Sequence, residues 1–150
     1  MKKVFLILVV AFMTLFAKET FSQNLMLNAN THETTVERCA GYFYDNSSTG
    51  NYATSIDRWV TICPPASSAN TRTALTFEEF NIDPSDTVFI YQGVGINAPI
   101  MTTGNNIPYF QNQDLQGITN MPSLMMNSPC LTLRLVSNGS ATASEKKKKI

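Results

Sequence analysis

Two aspartates lie three residues apart in the segment FNIDPSDTVFIYQG, which covers residues 80–93. Asp83 and Asp86 flank Pro84, and the apolar run from Val88 to Tyr91 follows directly. Carboxylates on a stiff turn have two common uses: they accept hydrogen bonds from the turn's own backbone, or their oxygen atoms hold a bound group. The spacing alone leaves both uses open, so the surrounding sequence has to decide between them.

Short β-strands separated by turns are the elements that must position this pair. Strand patterns occupy residues 57–63, 73–80, 86–91 and 131–136, and Pro64-Pro65 ends the first of them. Outside the N-terminal segment no window has the apolar spacing of a helix. Strands with turn signals every 8 to 12 residues or so indicate an all-β sandwich or barrel. The run from Val88 to Tyr91 is apolar on both faces, which predicts a central, covered strand.

The N-terminus has the pattern of a secretory signal peptide. Lys2 and Lys3 precede an apolar run of about 13 residues, which is shorter than the roughly 20 that span a bilayer as a helix. We predict a signal peptide at 1–22, a polar linker or first strand at 23–37, a folded domain at 38–144 and a lysine-rich tail at 145–150. This division predicts a secreted or cell-surface protein, with a short membrane anchor as the alternative.

The folded part is acidic although the formal net charge of the chain is zero. Ten of the 11 acids lie beyond the leader, whereas only four of the 11 basic residues lie between the leader and the lysine-rich tail. Those four are Arg38, Arg58, Arg72 and Arg134. An acidic domain argues against nucleic acid and anionic membranes as partners and is compatible with binding a cation.

Residues suited to catalysis are sparse, so we expect a non-catalytic protein. The single histidine, His32, precedes the predicted domain and is badly placed for a Ser-His-Asp or Cys-His site. Glu78 and Glu79 are adjacent in a predicted strand, so their side chains point to opposite faces and cannot act as one acid–base pair.

The ordered motifs from Cys39 to about Ser144 resemble a CUB domain of bacterial secreted and surface proteins. The motifs are a cysteine before Gly41 and aromatic residues, Asn-Tyr, a tryptophan strand ending in cysteine, LTFEEF, DTVFIYQG and LTLRLVSNGS. The resemblance implies a jelly-roll-like β-sandwich of antiparallel strands that binds an extracellular protein or glycan. The alternative is an accessory domain of a secreted peptidase or glycan hydrolase whose catalytic part is absent from this chain; a spacer that binds nothing is a third possibility.

The same resemblance implies a calcium site at the acidic turn. Asp83 matches a family position where glutamate is usual, Asp86 matches a family aspartate, and Asn138 replaces a third acid. A supporting tyrosine has no clear match, because Ile56 stands where it would be expected. Calcium prefers six to eight oxygen ligands, so two carboxylates predict weak binding or none.

The resemblance also implies a pairing for the cysteines. It pairs Cys39 with Cys63 and leaves Cys130 without its usual partner, which in the family lies just past the final strand. Here EKKKKI stands in place of that strand. Since lysines are poorly suited to face a core, we predict a domain that lacks its last strand and carries an unpaired Cys130.

Overall fold

The computed structural model describes residues 24–45, 53–65, 71–77, 82–102, 108–111, 124–138 and 148–149. The predicted signal peptide at 1–22 lies outside these residues. Within the described ranges there are nine strands and no helix. The strands are β1 (Leu25–Met26), β2 (Thr34–Glu37), β3 (Tyr42–Tyr44), β4 (Asp57–Cys63), β5 (Ala74–Leu75), β6 (Thr87–Tyr91), β7 (Leu124–Met125), β8 (Leu131–Val136) and β9 (Lys148–Lys149). The predicted all-β class is therefore confirmed, and none of the described residues forms a helix that could cross a bilayer.

The largest sheet has the strand order β2-β4-β8-β6. Strand β8 pairs antiparallel with both β4 and β6, whereas β2 and β4 run parallel, as do β1 and β3 in a second sheet. The expectation of antiparallel strands throughout is thus wrong at two pairings. The chain passes through β3 between β2 and β4, and such a crossover is what lets two neighbouring strands run in the same direction.

Three sheets share one hydrophobic core, which fits a β-sandwich. The other two sheets have the orders β1-β3-β9 and β5-β7. Side chains of all three meet in one cluster of buried residues, among them Leu25, Phe43, Leu75, Val60 and Leu133. In the described part of the chain, strands of all three sheets thus contribute to one core, which is consistent with the sandwich that the turn spacing predicted.

The burial pattern of β8 follows the alternation in its sequence, except that one further residue is buried. Leu131, Leu133 and Leu135 are buried, as predicted, but Thr132 on the other face is buried too. Its hydroxyl lies 2.7 Å from that of Thr61 on β4 and also contacts the backbone of the turn after β6, at Gly93 and Gly95. The turn therefore packs on the second face of the sheet and covers it there.

Strand β6 is the outermost strand of its sheet and not a central one as predicted. Its second apolar face is used in another way, because Phe89 packs against Tyr91 and Tyr109 with ring centroids 6.4 and 6.0 Å apart. Isolated bridges to Ile100 and Phe110 cover part of the free edge. The apolar pattern on both faces of β6 therefore reflects aromatic packing and not a central position in the sheet.

The lysine-rich tail contributes a strand, which corrects the prediction that the position of the last strand is empty. Lys148–Lys149 pairs antiparallel with β3, with Lys149 opposite Tyr42 and Lys148 opposite Phe43. Lysine side chains are poorly suited to face a core, but strand pairing uses backbone groups only. Lysine is also common on edge strands, where charge discourages pairing with other chains.

The disulfide joins Cys63 to Cys130, so the predicted Cys39–Cys63 bridge and the unpaired Cys130 are both wrong. The cause is the register of β4 and β8. Ile62 lies opposite Leu131, which places the next pair, Cys63 and Cys130, directly across from each other with Cα atoms 4.3 Å apart. Cys39 lies two residues beyond Glu37, the partner of Cys63 in β2, and it is exposed with a free thiol. Such a disulfide is compatible with an extracellular protein.

Candidate functional site

Antiparallel pairing of β6 with β8 brings the acidic turn next to Asn138. Thr87, the first residue of β6, lies opposite Val136, the last residue of β8. The residues just before β6 and just after β8 must therefore meet at one end of the sheet. The contact is direct, since the backbone N–H of Asn138 donates to Oδ1 of Asp86 over 2.8 Å. Positions that are 52 residues apart in the sequence are thus neighbours.

Asp83 organises the turn that carries both carboxylates. Its Oδ1 accepts the backbone N–H of Ser85 at 3.0 Å and also the Ser85 hydroxyl. The N–H of Asp86 closes the turn on the carbonyl of Asp83 at 2.9 Å. This is an Asx turn of the kind that Asp and Pro favour, so the turn-capping use of Asp83 is confirmed.

The three predicted ligand residues differ in their exposure. Asp83 and Asp86 are buried, the latter fully, whereas Asn138 is exposed. A buried carboxylate needs hydrogen bonds or a cation to offset the loss of its hydration. The turn thus concentrates two carboxylates at a place where water is largely excluded, beside a residue that is open to solvent.

The side chains at this place fit calcium in kind. Two carboxylates and a carboxamide are hard oxygen donors, which calcium prefers, and backbone carbonyls and water can complete its shell. These three residues supply two negative charges, and within the described ranges no three His, Cys, Asp or Glu side chains form a group suited to a metal ion. This donor set corresponds to a weak oxygen site and does not suit zinc or another metal that prefers nitrogen or sulfur.

Among the described residues, Asp45 is a third buried carboxylate, which no sequence pattern indicated. It directly follows β3 and is 2% exposed. The only signal in the sequence is an acid at the end of the aromatic run YFY, which is too common a pattern to indicate burial. Since no group of three such side chains occurs among the described residues, Asp45 does not complete a three-carboxylate site with Asp83 and Asp86.

An ion pair on the outer face of the sheet lies near the same end. Arg134 donates from Nε and Nη2 to the two carboxylate oxygens of Asp57, at 2.7 and 2.5 Å, and its guanidinium carbon lies 5.4 Å from the centre of the Phe89 ring. These hydrogen bonds hold the pKa of Asp57 below its ordinary value and raise the pKa of Arg134. The pair links β4 to β8 beside the acidic turn.

Asp57→Asn is expected to remove a small, pH-dependent part of the stability. The pKa of Asp57 is lower in the folded state, so its contribution is complete above the unfolded pKa near 3.8 and is lost as the pH falls through the folded value. Because the Asp57 side chain is 52% exposed, solvent screening limits this contribution to about 1 kcal/mol or less. Urea unfolding of both proteins should give a gap at pH 7 that closes towards pH 2. A gap that stays constant over this range would contradict the assignment.

The comparisons with known proteins do not identify a family. The sequence matches no model of a protein family, and no curated protein matches it. The resemblance to a CUB domain therefore stays a prediction, and it is carried by the motifs and the strand pattern of this chain.

Proposed function

We propose that this chain is an exported, non-catalytic binding module of CUB type that recognises a protein or glycan outside the cell with the help of calcium. One observation carries the proposal. Asp83, Asp86 and Asn138, which the resemblance assigns to one calcium site, lie together at one end of the central sheet. The pairing of β6 with β8 brings them there, although Asn138 is far from the two aspartates in the sequence.

Calcium would act at this place by offsetting charge and fixing loops. The carboxylates of Asp83 and Asp86 and the amide oxygen of Asn138 would hold the ion. A bound cation would neutralise the two buried carboxylates and tie the turn before β6 to the segment after β8. Affinities of about 0.1 to 1 mM are usual for extracellular calcium modules, and a site with only two charges belongs at the weak end.

Loops at the end of a rigid sheet are the usual place for recognition. The sheet supplies a fixed base, while the loops can differ in sequence without disturbing the core. Ordering these loops before a ligand arrives lowers the entropic cost of binding. Calcium at the acidic turn would therefore increase ligand affinity without itself being the ligand.

A binding screen tests this proposal. The purified protein should bind members of a glycan or extracellular-protein array in 2 mM calcium, and this binding should be lost in a chelator. Asp86→Asn keeps the size of the side chain and removes its charge. This variant should not bind the ligand even in 2 mM calcium, as the wild type does not in a chelator. Glu37→Gln is the matched control, because Glu37 is an exposed acid of β2 at the opposite end of the sheet.

The other outcomes of the screen are equally informative. Binding that persists in a chelator would contradict the role of calcium, but it would still agree with a binding module. Hits confined to polymeric substrates of peptidases or glycan hydrolases would favour the accessory-domain alternative. No binding to any member of either array would leave a spacer, and the proposed function would then be wrong.

A further inference from the structure

A cleft of about 390 Å³ opens at the end of the central sheet that is remote from the acidic turn. It lies between β1, the segment from β2 to β3, the end of β4 and the segment before β5. The strand β4 runs from the acidic-turn end to the cleft end over seven residues, a length of about 20 Å. The cleft is therefore a separate place on the molecule, and nothing in the sequence patterns pointed to it.

Two of the four arginines outside the leader and the tail line this cleft. They are Arg38 and Arg72, and the described residues that line it include no Asp or Glu. Tyr42, Pro64 and Ala74 add a partly exposed apolar wall. In a domain whose other charges are mostly negative, this is a local positive site with an apolar surface beside it.

The guanidinium of Arg38 is incompletely bonded within the described part of the chain. Its Nη1 donates to the carbonyl of Glu37 at 3.0 Å, while its Nε is buried and has no acceptor among the described residues. A buried donor without an acceptor is destabilising, and in folded proteins it usually marks a bound water or ion. The cleft is the open space that this side chain borders.

The chain itself shows what such a guanidinium can bind. Arg134 holds the carboxylate of Asp57 through Nε and Nη2, the two nitrogens along one edge of its guanidinium. Arg38 uses Nη1 for the backbone and its Nε is buried, so the guanidinium must turn towards the cleft to present its Nε edge to an incoming carboxylate. Planar carboxylates match this edge with two parallel hydrogen bonds.

We propose that the cleft binds a small organic acid, with its carboxylate held by Arg38 and Arg72 and its apolar part against Tyr42 and Pro64. A volume of about 390 Å³ lies within the range of small-molecule sites. An apolar wall selects against a bare inorganic anion, and paired arginines select against a neutral apolar molecule. This inference does not depend on the calcium-binding function, because the two sites lie at opposite ends of the sheet.

The first test uses two probes that differ only in charge. N-acetyl-leucine carries an α-carboxylate beside an apolar side chain, and N-acetyl-leucinamide has the same body without the charge. In an NMR titration the acid should shift the Nε–H resonance of Arg38 and saturate, while the amide should bind at least about 10-fold more weakly. Equal binding of acid and amide, no binding of the acid, or inorganic phosphate binding as tightly as the acid would overturn the proposal.

Substitutions then assign the binding to the cleft. Arg72→Gln should weaken binding of N-acetyl-leucine by about 10-fold or more. Arg58→Gln is the matched control, because Arg58 lies on β4 and does not line the cleft. Its affinity should equal that of the wild type. An Arg72→Gln protein that binds the acid as tightly as Arg58→Gln would show that the cleft arginine is not used.

Cys39 gives a second readout that needs no equilibrium binding. Its exposed thiol lines the same cleft as the two arginines, so an anionic reagent that alkylates it comes under their positive charge. In alkylation the thiol gives its proton to water, and the thiolate sulfur then forms a bond to carbon as the carbon–iodine bond breaks and iodide leaves with the electron pair. The rate with iodoacetate relative to iodoacetamide should fall by about 10-fold in Arg72→Gln. A ratio that is the same in wild type and variant would contradict an anion-attracting cleft.

Discussion

Replacing Cys63 and Cys130 together by alanine is expected to lower the free energy of unfolding by about 4 kcal/mol. The bridge spans 67 residues, and closing a loop of that length reduces the entropy of the unfolded chain by an amount worth about 4 kcal/mol at 25 °C. Domains of this size have total stabilities of about 5 to 15 kcal/mol. The double variant should therefore unfold at much lower denaturant concentrations or fail to stay folded at 37 °C.

Cys39→Ala is the matched control for the disulfide. Cys39 is exposed and its thiol is free, so this variant should keep the stability of the wild type to within about 0.5 kcal/mol. Peptide mapping without reduction should find Cys63 and Cys130 in one cross-linked fragment and one titratable thiol per chain at Cys39. A large loss of stability in Cys39→Ala, with no loss in Cys130→Ala, would contradict the observed pairing and restore the one implied by the CUB resemblance.

Ile90→Ala is expected to cost about 2 to 5 kcal/mol. Ile90 lies on β6, is fully buried and belongs to the core cluster that the sheets share. The truncation removes apolar contacts and leaves a cavity that a packed sandwich can only partly close. Guanidinium unfolding followed by circular dichroism gives the free energy, and the slope of the transition shows whether the variant still folds in two states.

Ile96→Ala makes the same chemical change outside the core. Ile96 lies in the turn after β6 and is 37% exposed, so its truncation should cost less than about 1 kcal/mol. Because the residue type is the same, the difference between the two losses in free energy of unfolding reports the effect of burial. Equal losses at Ile90 and Ile96 would mean that β6 is not packed on the core in the way described.

Much of the fold could be predicted because strand patterns are local. The alternation of leucines in β8 and the two prolines after β4 show which residues are buried and where the strand ends. Two-sided apolar patterns are less informative, as β6 shows: the aromatic residues on its outer face pack on one another at the edge of the sheet. Thr132 is buried by a turn that packs on its hydroxyl, and a short polar side chain in a strand does not signal such a contact.

The disulfide and the last strand could not be predicted because both depend on how distant strands pair. The residues around Cys63 carry no information about β8, yet the register of β4 with β8 places Cys130 opposite Cys63. Likewise, Lys148–Lys149 has an unfavourable composition for a strand but needs only backbone groups to pair with β3.

The two ends of the sheet differ in how much the sequence says about them. Asp83 and Asp86 lie close together on a recognisable turn, so the sequence identifies them, and the family resemblance adds Asn138. Arg38 and Arg72 are separated by two strands and lie in unremarkable segments, so only the folded arrangement brings them to one cleft. Charges that act together from distant segments leave no local signal.

Calcium titration by calorimetry at pH 7 tests the central claim most directly. The wild-type protein and Glu37→Gln should each bind one calcium ion with a dissociation constant of about 1 mM, as expected for a weak extracellular site. Asp86→Asn should weaken this binding at least about 10-fold, since it removes one of two carboxylates. No saturable heat up to 10 mM calcium in the folded wild type, or equal binding in Asp86→Asn, would contradict the claim and leave Asp83 and Asp86 as turn residues.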